Sequence, residues 1–216
     1  MRIKLLFTLG LLYVCIFLHA QKGISAEVLY TMTYSGMTND DLEDLPKQVT
    51  FLVSGNNTKQ IVVTPKSTMR IIANADSVFL ANLNDIDDDR VALIYNADDI
   101  KESTSMLEVT IKPTKEVRTI LGYPCKKYEI SIYNKELKER MKDIVYVTEK
   151  IGGDNVNFLL YKGLKGFILS SEKTSAGETT IMEAKRITKR SIEPSEFLVP
   201  EEYTITTYKE QVNQNK

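Results

Sequence analysis

Apolar and polar residues alternate along most of this chain, and a period of two predicts β-strands with one apolar face. The clearest stretch runs from Ala26 to Tyr34, where Ala, Val, Tyr, Met and Tyr alternate with mostly polar residues. Leu107 to Lys112 and Lys127 to Ile132 alternate in the same way. Less regular strand candidates lie at Gln48–Val53, Lys59–Thr64, Met69–Ala75, Val91–Tyr95, Lys115–Leu121, Ile144–Thr148, Phe167–Glu172, Thr179–Ile187 and Tyr203–Tyr208.

Helical spacing is confined to two short segments. Asn134 is placed to cap the first, in which Leu137 and Met141 would share a face. Asp154 is placed to cap the second, where an i, i+3, i+4 stripe of apolar residues is followed by a glycine suited to a left-handed end. That stripe consists of Val156, Leu159 and Leu160, and the glycine is Gly163.

About ten strands with so little helix predict a mainly β fold. We expect a single curved antiparallel sheet that forms an open half-barrel, with two or three short helices. Residues 21–212 would form this one domain, and residues 213–216 would be a loose C-terminal tail.

The N-terminus has the pattern of a secretory signal peptide. Arg2 and Lys4 precede an apolar run from Leu5 to Leu18, and cleavage is expected after Ala20, with Ala26 as an alternative position. The run is shorter than the roughly 20 apolar residues that a transmembrane helix needs. We therefore expect residues 1–20 to be removed and the protein to be periplasmic or secreted in a two-membrane bacterium, without a transmembrane anchor.

Charge and side-chain chemistry exclude several functions. The formal net charge is −1 with both signs interspersed, so no basic block is present to bind nucleic acid. The single histidine, His19, lies in the segment expected to be removed, which leaves no imidazole base for the thiol of Cys125. We predict a structural Cys125 and no catalytic, metal-binding or cofactor-binding residue. Lipidation at Cys15 is disfavoured because the preceding Val14 is not small.

The acidic run from Asp85 to Asp89 resembles the opening of a calcium loop. Arg90 occupies the sixth position, where glycine is needed, and Asn96 the twelfth, where glutamate belongs. We therefore interpret the run as a solvated turn. Hydrolysis by a carboxylate pair stays open as a minor hypothesis, because such pairs are brought together by the fold and not by sequence spacing.

Motifs in the second half of the chain carry a family resemblance. The stretch from Ile120 to Tyr128 resembles the I-x-G-Y-x-C-x-x-Y motif of the DUF4412 group of exported bacterial proteins of unknown function. The stretches from Tyr161 to Leu169 and from Phe197 to Tyr203 are similar to that family's later motifs. The family in turn resembles the lipoprotein carriers LolA and LolB, which implies a half-barrel whose short helices cover an apolar cavity. The first half of the chain matches no such pattern.

The pattern and the resemblance lead to one functional hypothesis. We expect a non-enzymatic exported protein that holds a lipid, a lipoprotein or another apolar ligand in a half-barrel cavity, by burial alone. The alternative is an envelope structural or interaction protein with a packed core and no ligand. The sequence does not indicate an oligomeric state. The expected cavity wall comprises Val28, Tyr30, Met32, Tyr34, Tyr128, Ile130 and Ile132, and the expected lid comprises Val156, Leu159 and Leu160.

Overall fold

A computed structural model describes residues 23–38, 42–86 and 89–214 of the chain. The expected signal peptide and its cleavage site lie outside these residues. The strands are β1 Ala26–Ser35, β2 Gln48–Ser54, β3 Asn57–Val63, β4 Ser67–Asn74, β5 Phe79–Ile86, β6 Asp89–Tyr95, β7 Leu107–Ile120, β8 Tyr123–Asn134, β9 Glu139–Thr148, β10 Phe167–Ser175, β11 Glu178–Lys189 and β12 Thr204–Thr207. Two α-helices, α1 Ala97–Thr104 and α2 Tyr208–Gln214, accompany the sheet, and a 3-10 turn spans Pro194–Phe197.

The strands form one sheet in the order β12-β6-β5-β4-β3-β2-β1-β11-β10-β9-β8-β7. Neighbouring strands are antiparallel except for the parallel pair of β12 and β6. The sheet is curved and does not close, because β7 and β12 form its two edges. This confirms the predicted mainly β fold with an open half-barrel sheet. No helix in the described ranges is long and apolar enough to cross a membrane.

Strand register divides the side chains between two faces, because successive residues point to opposite sides of a sheet. Tyr30 pairs with Val49 of β2 and with Ala184 of β11, and these residues define what we call the Tyr30 face. The neighbouring residue Leu29 begins a row that continues through β2 and β3 to Arg70 of β4. We call this second side the Arg70 face.

The core on the Tyr30 face lies between the sheet and the loop of residues 151–166, which we call the covering segment. One cluster includes Val28, Tyr30 and Leu169, against which Val156 of the covering segment packs. A second cluster joins Ile130 and neighbouring residues of β8 and β9 to Leu164 of the same segment. The covering segment therefore serves the β1 and β8 to β11 part of this face.

The Arg70 face has a core of its own on β2 to β6. Its cluster includes Leu52 and Leu83 from the sheet, and residues 190–203 cross over them and contribute Phe197 and Tyr203. Arg70 fixes this crossing by donating to Asp85 at 2.6 Å and to the Tyr203 hydroxyl at 2.7 Å. The C-terminal part of the chain thus covers the side of β2 to β6 that faces away from the covering segment.

The predicted helix after Asn134 is wrong. Asn134 ends β8, and its side-chain oxygen accepts the N–H groups of Glu136 at 3.0 Å and Leu137 at 3.1 Å. This is a turn between β8 and β9, and the Leu137 side chain is 63% exposed. Short asparagine side chains stabilise both helix starts and tight turns, and the long antiparallel pairing of β8 with β9 decides for the turn.

Three further segments differ in detail from the sequence prediction. The segment after Asp154 is a run of turns, although Gly163 does have a left-handed φ of 93°. The strand candidates at Leu107 and Lys115 form the single strand β7, whose register is irregular between Pro113 and Val117. Helix α2 extends through residues 213 and 214 of the expected tail.

Candidate functional site

All seven residues expected to form a cavity wall lie on the Tyr30 face. The register shows this directly, since Met32 pairs with Met182, Met182 with Ser171, Ser171 with Val145, and Val145 with Tyr128. This row crosses five neighbouring strands. The predicted residues of β1 and β8 therefore share a face even though the two strands are not adjacent.

Four of the seven are packed core. Val28, Tyr30, Ile130 and Ile132 are at most 2% exposed. The Tyr30 hydroxyl donates to the backbone carbonyl of Ile168 at 2.6 Å, and burial raises the pKa of Tyr30 well above its ordinary value. No surface of these residues is available to a ligand while the covering segment is in place.

The other three predicted wall residues keep some accessible surface. Met32, Tyr34 and Tyr128 are half-buried. The Tyr34 hydroxyl donates to the backbone carbonyl of Pro46 at 2.7 Å, so this ring is held against the loop before β2. These three residues border the packed region.

The expected lid residues are divided between two environments. Val156 packs against the Tyr30 cluster, Leu159 is half-buried, and Leu160 is 42% exposed. The covering segment therefore presents only part of the predicted stripe to the sheet.

The covering segment is fastened at several points. The Tyr161 hydroxyl donates to Asp143 of β9, and burial together with this bond raises the pKa of Tyr161. The Asn157 amide donates to the carbonyls of Leu164 at 3.0 Å and Gly166 at 2.6 Å. Gly153 lies so close to the β2–β3 turn that a Cβ there would meet a side-chain oxygen at 2.1 Å.

We call the Tyr30 face of β3 to β6 the floor. Val62 and Ala73 are buried there and Tyr95 stacks on Tyr208 of α2 at 5.1 Å, but the larger apolar side chains of the floor are packed less completely than those of β1 and β8 to β11. One row of the floor continues from Val28 through Phe51, Gln60, Ile71 and Asn82 to Leu93. Its half-buried apolar residues belong to none of the clusters found in the described ranges. These residues are Met69, Ile71, Leu80 and Leu93, accompanied by the amides of Gln60, Asn82 and Asn84.

Helix α1 stands at one end of the floor. Its cap is Asn96, whose side chain accepts from the backbone of Asp98 at 2.9 Å and Asp99 at 3.1 Å. The Asp99 carboxylate returns the bond by accepting from the Asn96 backbone at 3.0 Å, which completes a capping box. Ile100 follows directly and is 7% exposed. The capping box thus fixes the start of α1, in which Ile100 is buried.

A cavity of about 460 Å³ lies between α1 and the covering segment. Its apolar lining includes Ile100, Phe158 and Leu164. It adjoins the floor, because Ala75 and Val78 also line it and connect the end of β4 to the start of β5. This volume lies within the range of roughly 300–1,000 Å³ that is usual for small-molecule sites.

Val78 has an unusual backbone conformation for its residue type. Its φ is 50°, in the left-handed region, where a β-branched side chain is a genuine outlier. Asparagine or glycine would occupy this turn position with less strain. Such strain is often found at functional sites, and here it places an isopropyl group on the cavity lining.

Cys125 is a buried thiol and not an activated one. It is fully buried, its Sγ donates to the backbone carbonyl of Tyr123 at 3.4 Å, and burial raises its pKa to about 11. The thiolate that nucleophilic chemistry requires is therefore disfavoured. Across the described ranges, no group of three or more His, Cys, Asp or Glu side chains is arranged to hold a metal ion.

Two other features carry charge. Asp85, from the acidic run, is a partner of Arg70 on the far side of the sheet from the floor. A second cavity of about 420 Å³ is lined by Lys112, Glu129, Lys142 and Glu172. Its side chains alternate in sign, as on a solvated sheet surface.

Sequence reasoning placed the seven predicted wall residues on one face but did not identify the floor. The strand candidate at Met69–Ala75 contained two of its residues, but β5 was not predicted because three asparagine and aspartate residues interrupt its apolar pattern. The even spacing of Leu80, Asn82 and Asn84 was the available signal. Amides at alternate positions are compatible with the polar groups of a ligand site as well as with a solvated face.

Comparison with protein-family models gives no match, and comparison with curated proteins gives none.

Proposed function

We propose that this chain is an exported, non-enzymatic binding protein that holds a lipid or another apolar ligand between the floor and the covering segment. The observation that carries the proposal is the unequal packing of one sheet face. The β1 and β8 to β11 part is filled by the chain itself, whereas Met69, Ile71, Leu80 and Leu93 of the floor are only half-buried and belong to no core cluster among the described residues. The resemblance to LolA and LolB supports the same reading.

Burial alone supplies enough free energy for such a ligand. Each methylene removed from water contributes about 0.8 kcal/mol, so ten methylenes contribute about 8 kcal/mol. Part of this is offset by the free energy of restricting ligand motion, which amounts to at least ~4 kcal/mol. At an offset of ~4 kcal/mol, about 4 kcal/mol remains for ten methylenes, which corresponds to a dissociation constant of about 1 mM without any catalytic group, and a longer acyl chain would bind more tightly.

The polar groups on the floor suit a ligand with a hydroxyl or ester group. The side chains of Gln60 and Asn84 make no hydrogen bond to another residue in the described ranges, and both are half-buried. Tyr95 bonds to Asn82 and so limits that third amide. Two free amides among apolar side chains can orient a ligand that burial holds.

The alternative function is an envelope interaction protein without a ligand. The full packing of Tyr30 and Ile130 favours it for the β1 and β8 part of the sheet. The two functions differ in what the floor does, and that difference can be measured.

A tryptophan reporter tests the proposal, because the chain contains no tryptophan and therefore has no background signal. Leu93→Trp places an indole on the floor, and Ile181→Trp places one on the opposite face, where Ile181 is 37% exposed. The purified variants are titrated with monomeric 12-bromododecanol, whose bromine quenches a nearby indole.

We expect stronger quenching of Leu93→Trp than of Ile181→Trp at every concentration at which the ligand is monomeric, with curvature toward saturation for Leu93→Trp and a weak, linear response for Ile181→Trp. Circular dichroism and urea unfolding of both variants verify that each is folded. If the folded Leu93→Trp protein is quenched no more than Ile181→Trp, the ligand-binding function is wrong and the interaction protein is the better reading.

A further inference from the structure

The lining of the cavity between α1 and the covering segment has an excess of positive charge, whereas the chain as a whole does not. Lys101 of α1 and Lys162 of the covering segment both line it, and its lining contains no aspartate or glutamate. The whole chain has a formal net charge of −1. The local excess therefore reflects the placement of these two side chains and not the overall composition.

Neither lysine is neutralised by a neighbouring carboxylate in the part of the chain that the structure describes. Within the described ranges, no ion pair joins Lys101 or Lys162 to a carboxylate, although α1 itself carries Asp98 and Glu102. Lys165 shows the contrast, because it lies three residues from Lys162 and pairs with Asp154 at 3.6 Å. Two unpaired ammonium groups thus border one partly enclosed space.

The remaining polar groups of the lining add a further donor. The Asn155 side chain makes no hydrogen bond to any residue that the structure describes, and it lines the cavity. The Thr104 hydroxyl already donates to the backbone carbonyl of Ile100 at 2.7 Å. The groups free to bind a ligand are therefore mainly N–H donors, which require an acceptor, and two of them are cationic.

We propose that this cavity binds the anionic headgroup of an amphipathic ligand, a carboxylate or a phosphate, while the acyl chain lies along the floor. The inference rests on the proposed function and names its ligand class. Val78 lines the cavity and lies two residues before Leu80 of the floor, so the two regions are close enough for one extended ligand.

Charge accounts for the preference over a neutral ligand. Lys101 and Lys162 are exposed, and a ligand without a charge gains no electrostatic attraction from them. An anion gains that attraction and accepts charge-assisted hydrogen bonds from the two ammonium groups. A fatty acid and a phospholipid present the same chemistry, and the test separates them.

The test is a competition in the Leu93→Trp protein, with 12-bromododecanol as the bound quencher. Monomeric dodecanol, dodecanoate and dodecyl phosphate are added separately, and recovery of fluorescence gives each affinity. The same series is run with Lys101→Gln and Lys162→Gln combined. Lys115→Gln is the matched control, because Lys115 is exposed and lies outside the cavity lining.

We expect at least one anionic competitor to bind about tenfold more tightly than dodecanol, as for one or two charge-assisted hydrogen bonds. The double lysine variant should lose this preference and keep its affinity for dodecanol, whereas Lys115→Gln should keep both. A stronger effect of dodecanoate indicates a fatty acid, and a stronger effect of dodecyl phosphate indicates a phospholipid headgroup.

Equal binding of all three competitors to the parent protein would overturn the headgroup inference while leaving the proposed function intact. An anion preference that survives in the folded double variant would also overturn it, because the cations would then lie elsewhere. Absence of any quenching by 12-bromododecanol would instead contradict the proposed function itself.

Discussion

The contact between Tyr161 and Asp143 gives the sharpest prediction about what holds the covering segment on the sheet. Asp143 is 1% exposed, and among the described residues its Oδ1 has no hydrogen-bond partner and its nearest cation is the Lys173 ammonium, 4.0 Å from Oδ2. The Tyr161 hydroxyl supplies the side-chain hydrogen bond to this carboxylate. Tyr161→Phe therefore leaves a buried charge with one distant cation.

The expected loss follows from the type of bond. A hydrogen bond to a charged group contributes ~1.5–3 kcal/mol, and an unpaired buried acceptor adds a desolvation cost of similar size. Water entering at the half-buried Tyr161 ring would recover part of this. We expect the free energy of unfolding to fall by about 2 kcal/mol, which shifts the urea midpoint by roughly 1 M for an m-value of ~2 kcal/mol/M.

Urea unfolding followed by circular dichroism measures the shift. Tyr128→Phe is the control, since Tyr128 is half-buried on the same face and its hydroxyl has no hydrogen-bond partner in the described ranges; it should lose less than ~0.5 kcal/mol. In an Asp143→Asn background, Tyr161→Phe should cost clearly less than in the parent. Equal shifts for Tyr161→Phe and Tyr128→Phe would refute the reasoning.

Four further predictions follow from local contacts. Cys125 should resist iodoacetamide at pH 8 in the native protein, because the thiol is buried and burial raises its pKa to about 11. Peptide mass spectrometry should find labelling only after urea is added, and rapid labelling of the native protein would contradict the burial. The free energy of unfolding should fall as pH rises above the ordinary tyrosine pKa of about 10. Tyr30 and Tyr161 have raised pKa values in the fold, so they ionise at lower pH in the unfolded chain than in the folded one. A urea midpoint that stays constant from pH 9 to pH 11 would be inconsistent with this. Val78→Asn should relieve left-handed backbone strain and also remove an apolar side chain from the cavity lining, so the free energy of unfolding should change by less than ~1 kcal/mol. Quenching of the Leu93→Trp reporter should weaken in this variant. A loss of stability above ~2 kcal/mol would instead make Val78 a core residue. Asn96→Ala should cost about 1 kcal/mol in urea unfolding by removing the cap of α1, and an unchanged midpoint would mean that the cap does not hold the helix.

Much of the fold could be predicted from the period-two alternation. The seven expected wall residues do share one face, because alternation fixes the side of a strand once its register is set. Burial could not be predicted in the same way. Val28 and Ile130 are sealed by the covering segment, a contact between residues far apart in sequence that no local pattern encodes.

The errors have local physical causes. Asn134 caps a turn between strands in place of a helix, because side-chain bonding to nearby N–H groups serves either structure. Strand β5 was not predicted because Asn82, Asn84 and Asp85 interrupt its apolar pattern, although β4 and β6 pair with it on its two sides. The positive cavity depends on Lys101 and Lys162, whose proximity arises only from the fold.

The most direct test of the central claim, that the floor is a ligand surface, is native mass spectrometry of the full chain after export. The chain is expressed with its own N-terminal segment in a two-membrane bacterium and purified from the periplasm without detergent. We predict a bound adduct that solvent extraction releases and identifies as an amphipathic molecule with an acyl chain. Repeated preparations that show only the bare protein mass, from protein whose Leu93→Trp variant is also not quenched, would contradict the account.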